Sequence, residues 1–150
     1  MGRISVAVEI DAPPDAVWSV VEPIEDHVDW MADAVAIRFT GNSTRGVGTT
    51  FECDTRVGPI TLVDAMTVTE WEPGRRMGVR HTGIVTGTGV FELEPIDLER
   101  RTRFTWTEEL HFPWFLGGRL GEMIGGQAVM RLIWRRNLRS LATLVEDRAG

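Results

Sequence analysis

Lysine and tyrosine are both absent from this 150-residue chain, and all 16 of its positive side chains are arginine. Without a lysine amine there is no Schiff base, no internal pyridoxal-phosphate aldimine and no Walker A motif. Without a phenol, no tyrosine can act as acid or nucleophile. The single cysteine, Cys53, excludes an intrachain disulfide and a cysteine-based metal cluster. Histidine is scarce, at positions 27, 81 and 111 only. The start, Met1 to Ser5, has no apolar leader segment, and no hydrophobic run approaches a membrane span. The expectation is a cytoplasmic protein without stable membrane insertion. A formal net charge of −6 argues against a nucleic-acid backbone as partner. No motif implies a cofactor, and no metal site is expected. Asn42-Ser43-Thr44 matches a glycosylation sequon but has no secretion signal to give it meaning.

The chain is 43% hydrophobic and 25% charged, ordinary values for a folded protein. Its length predicts one domain over residues 1–150, with no linker, repeat or low-complexity run. Ile4, Val6, Val8 and Ile10 alternate with polar positions, which predicts a strand. Asp11-Ala12-Pro13-Pro14 ends it and opens a helix, with Asp11 or Ala12 near the cap and Asp15 at the positive end of the dipole. Pro23 breaks that helix, and Ile24, Val28 and Met31 suggest a second short helix over roughly 24–32. Val35, Ile37 and Phe39 then alternate as a second strand. Five more strands follow at about 49–57, 60–71, 76–82, 84–94 and 102–111, joined by short turn-rich connections. From Met123 through Gln127, Met130, Trp134, Leu138, Leu141 and Val145 the apolar spacing is helical, predicting one long helix over roughly 119–146. An antiparallel meander closed by strand one, lying beside both strand two and the last strand, would curl around that helix.

This order resembles the START-like superfamily, also called SRPBCC, over nearly the whole chain. The resemblance is carried by Ala12 to Trp18, by Gly46-Val47-Gly48-Thr49 and by Val68 to Arg75 at the central hairpin. It continues in Phe91 to Pro95, in Arg101 to Trp106 and in the helix end Leu138 to Leu141. The resemblance implies an α+β helix-grip fold: a seven-stranded curved antiparallel sheet wrapped around a long C-terminal helix, with two short helices after strand one. It also implies a family of polyketide cyclases and dehydratases, ligand carriers and quinone-binding chaperones, so it specifies fold better than function. It places His27 and Trp30 at the pocket rim, with a solvated His27 expected.

Hairpin alignment gives an inner face. It sets Cys53 opposite Asp64, Phe51 opposite Met66, Met66 opposite His81, and Val68 opposite Val79. It also sets His81 opposite Val85, Val79 opposite Gly87, Gly89 opposite Trp106, and Gly87 opposite Glu108. Asp64, His81 and Glu108 are the ionisable groups on this otherwise apolar face. Buried charges must be paired, neutralised or functional. The trio is therefore a structural network, a hydrogen-bonding wall for a ligand, or an acid/base set with Asp64 or Glu108 as base and His81 as partner acid. Candidate ligand contacts are Phe51, Met66, Val79, Gly87, Gly89, Trp106, Met123, Gln127, Met130 and Trp30, with Gly87 and Gly89 leaving room beside Trp106. The first functional reading is a carrier of a small apolar or aromatic molecule such as a lipid, quinone or polyketide. The alternative is a cyclase or dehydratase-type enzyme, and a third is an interaction module with a filled, vestigial cavity.

Overall fold

A computed structural model describes residues 3–112 and 127–149. Strand β1 (Arg3–Ile10) buries Ile4, Val6 and Ile10, as its alternation predicts. Pro13, with extended backbone, is the N-cap of helix α1 (Pro14–Val21), with Ala12 next to it and no side-chain cap. Pro14 in the first turn gives up an N–H that would have no partner there, and Asp15 faces the positive end of the dipole. Pro23 precedes a tight 3-10 segment (Ile24–Asp29), shorter than the helix expected over 24–32.

Six strands then run as an antiparallel meander: β2 (Ala34–Phe39), β3 (Thr50–Val57), β4 (Ile60–Glu72), β5 (Arg76–Thr82), β6 (Thr86–Ile96) and β7 (Arg101–His111). Helix α2 (Gln127–Ala149) is continuous through Met130, while the expected start of the helix near residue 119 lies outside the described residues. A bulge between Ala34 and Ala36 turns Val35 outward to 48% exposure, against the strict alternation expected there.

The sheet has seven strands in the order β1-β7-β6-β5-β4-β3-β2, and it curves around α2 in the helix-grip arrangement. β1 pairs with β7 from Arg3↔Glu109 to Ile10↔Thr102. It does not pair with β2, so the expected closure is corrected: β1 and β2 are the two edges. The cause lies in the connection between them. α1 and the 3-10 segment pack on α2 and β2, so the chain between the edges holds them apart. α2 lays Trp134, Leu138, Leu141 and Val145 into the concave face against Ile4, Val6 and Phe104. Among the described residues no helix is long and apolar enough to cross a membrane.

Two hairpins have the expected register, with Cys53↔Asp64 and Met66↔His81. Two are displaced by two residues, with His81↔Gly87 and Gly89↔Glu108. A slip of two preserves the face of every side chain, because the strand period is two. Asp64, His81 and Glu108 therefore share the concave face, while Arg80 and Glu92 are exposed and Glu52 pairs with Arg38 on the outer side.

Candidate functional site

A cavity of about 150 Å³ lies between the sheet and α2. Phe51, Met66, Val79, Trp106 and Met130 line it, as the inner-face reading anticipates. Trp134 and Ile133 of α2 cover it from above.

One wall is polar. His81 on β5 sits between two carboxylates, Asp64 from the adjacent β4 and Glu108 from β7, which reaches across β6 at Gly89. Its Nδ1–H donates to both oxygens of Asp64, at 2.9 and 3.0 Å, and its Nε2–H donates to Glu108 Oε2 at 2.9 Å. Trp106 Nε1–H donates to the other Glu108 oxygen at 3.0 Å. The chain of contacts follows from strand geometry. Asp64 stands one inward position before Met66, the partner of His81 across β4 and β5, and Glu108 lies opposite Gly89. Burial opposes a charged imidazole, but the hydrogen bonds and charges of Asp64 and Glu108 outweigh it and push His81 up to about 10. His81 is therefore an imidazolium at neutral pH. The three groups bond to one another instead of converging on a point, and no set of three His, Cys, Asp or Glu among the described residues could hold a metal ion.

Gly89 lines the cavity, but the room it provides is occupied. A Cβ there would lie 2.5 Å from Glu108 Oε1 and 2.7 Å from Glu108 Cδ. Gly89 makes space for the carboxylate, and not open space beside Trp106. Gly87 is outside the lining; its φ of +127° and the Glu109 backbone, which occupies the place of an added Cβ, make it a backbone requirement. Trp30 is also outside the lining. It is 2% exposed within an aromatic cluster of His27, Phe91, Phe104 and Trp106, and its Nε1 finds no acceptor among the described residues. Gln127 is half-buried at the first described turn of α2 and does not line the cavity. Met123 lies outside the described residues.

Two further polar residues line the cavity: His27, placed at the rim by the resemblance but expected to be solvated, and Asp33, which the sequence reading did not single out. His27 is buried, not solvated: its Nε2–H donates to the Val21 carbonyl at 2.7 Å, and burial lowers its pKa to about 4. Asp33 accepts from Asn137 Nδ2 at 2.7 Å, while Asn137 Oδ1 accepts from Ala32 N–H at 3.0 Å. Burial lifts the Asp33 carboxyl above its ordinary range despite the Asn137 bond. Asp33 precedes β2, where no periodicity assigns a face. Trp134 and Asn137, by contrast, belong to a helix whose apolar stripe was readable, so Trp134 was within reach of sequence reasoning. Cys53 is buried with its thiol pushed up to about 11, chiefly by burial and further by Asp64, Asp33 and Asp54.

The fold has many solved counterparts. The Zhui aromatase/cyclase from Streptomyces sp. R1128 superposes with a TM-score of 0.79 at 18% identity, covering 99% of this chain and 96% of that one. A protein of Thermus thermophilus gives 0.78 at 19% identity, covering 99% and 100%. A START superfamily protein from Mycobacterium smegmatis gives 0.66 at 14% identity, covering 97% and 95%. At these identities the likeness is one of fold. No curated protein matches the chain in sequence. Residues 1–146, however, match the sequence family described as polyketide cyclase / dehydrase and lipid transport. With the match spanning β1 through all but the last turn of α2, the chain belongs to that polyketide cyclase / dehydrase and lipid transport family.

Proposed function

We propose that the chain binds a small apolar or aromatic molecule in the cavity beneath α2. The observation that carries this reading is the combination of an apolar lining with a polar wall at Asp64, His81 and Glu108. Binding pockets are typically apolar with a few placed polar groups. The volume of about 150 Å³ suits a single ring or a short alkyl segment. Family membership and the aromatase/cyclase neighbour support a ligand in this position.

Calorimetric titration with toluene tests it. Measurable heat of binding in the native chain, lost in Met66→Trp with little change in melting temperature, is the expected result. Absence of binding by any single-ring probe overturns it. Native mass spectrometry of freshly purified protein adds a direct search for a bound small molecule.

A second reading is acid/base catalysis of the cyclase or dehydratase kind. Glu108 is held by two donors, His81 and Trp106, and both His81 N–H groups are donated, so His81 offers a substrate no donor without rearrangement. Among the described residues Asp64 hydrogen-bonds only to His81; it lines the cavity and retains lone pairs, which makes it the base in this reading. Asp64→Asn would then retain binding and abolish turnover.

A further inference from the structure

Among the described residues that line the cavity, the hydrogen-bonding capacity left over belongs to acceptors. Asp64 accepts only from one His81 N–H, and Asp33 accepts from Asn137, so both carboxylates keep acceptor capacity. His27 is neutral with its proton on Nε2, bonded to Val21, so its Nδ1 is a lone pair. The N–H groups of His81 and Trp106 are already donated within the wall. The chain has no lysine, and no arginine is among the described residues that line the cavity. Acids outnumber basic partners there: three carboxyl groups, Asp33, Asp64 and Glu108, line the cavity with one imidazole, His81, between two of them.

We propose that the cavity selects organic cations: a single-ring or short-chain amine whose ammonium N–H groups donate to Asp64 and Asp33 while its apolar body fills the space beneath α2. This rests on the binding reading above and narrows it to one chemical class. An uncompensated carboxylate facing apolar walls is costly, and an ammonium partner removes that cost. The aromatic side chains of Phe51 and Trp134 in the lining supply π-systems of the kind that attract a cation. A carboxylate or a bare ketone presents only acceptors and would meet acceptors.

Three probes of nearly equal size separate the outcomes: benzylamine, toluene and benzoate, titrated calorimetrically at neutral pH. Benzylamine is expected to bind at least tenfold more tightly than toluene, and benzoate not to bind. The preference should survive high salt, which screens surface charge but not a buried site. Asp64→Asn and Asp33→Asn should each erase much of the benzylamine advantage and leave toluene affinity unchanged. Asp33→Asn keeps an acceptor for Asn137, so it decides the matter even if Asp64→Asn does not fold. Equal binding of toluene and benzylamine overturns the charge selectivity and leaves the binding reading intact. Benzoate binding as well as benzylamine, or an advantage that persists in both variants, also overturns it. Failure of all three probes removes both readings.

Discussion

Glu108 accepts hydrogen bonds on both carboxylate oxygens, and its head group fills the space over Gly89. Gly89→Ala would place a Cβ 2.5 Å from Oε1, so the carboxylate must move off His81 or Trp106. The expected cost is about 1–3 kcal/mol, the range for overpacking a filled site. The check is a denaturant titration together with NMR of the His81 ring, whose pKa of about 10 should fall as its second carboxylate withdraws. Gly87→Ala should be worse, because the added Cβ meets Glu109 backbone and no side-chain rotation relieves it. At this scale the alternation of apolar residues made the trio legible. It could not show that Gly89 and Glu108 share one volume, because that depends on which residues are opposite across β6 and β7. His27 and Asp33 lie in a 3-10 turn and a strand approach, where neither period assigns a face.

At the scale of elements, Asn137 ties α2 to the approach of β2. It is 1% exposed and holds both Ala32 N–H and the Asp33 carboxyl. Asn137→Leu would keep much of the volume and strand both partners. An unsatisfied buried donor or acceptor costs about 1–3 kcal/mol, so a fall in melting temperature of several degrees is expected in a thermal scan. The reading of hairpins from turns succeeded at Gly58-Pro59 and Pro73-Gly74. The Pro73 to Arg75 connection holds three residues, and the bulge between Val68 and Glu70 restores the expected pairing beyond it, whereas Gly83 to Val85, also three residues between Thr82 and its partner Thr86, has no such bulge and the register slips. Only the even size of the slip kept the inner face intact.

Across the whole molecule, two buried histidines set opposite limbs of the stability curve. His27 is held near pKa 4, well below its ordinary 6.5, so the unfolded chain takes up a proton before the native one does. Stability should fall as pH drops from about 6.5 to 4, by about 3 kcal/mol at most from this residue. His81 is raised to about 10, so its contribution is full below 6.5 and fades as pH rises toward 10. Melting temperature measured against pH should therefore peak near neutrality, with His27→Gln flattening the acid limb and leaving the alkaline limb in place. Strand count, meander and long helix were all legible from periodicity. The open edges at β1 and β2 were not, since closure depends on how the α1 and 3-10 connection packs in three dimensions.

Trp106 and Trp134 face each other across the cavity roof with ring centroids 4.8 Å apart and planes inclined by 23°. Two identical chromophores at that separation share their electronic transitions, which splits the indole absorption into paired circular-dichroism bands of opposite sign. The chain has no tyrosine to overlay those bands. Both rings line the cavity, so a change in this couplet on adding a ring-sized probe to the unlabelled protein would report a shift in their mutual orientation.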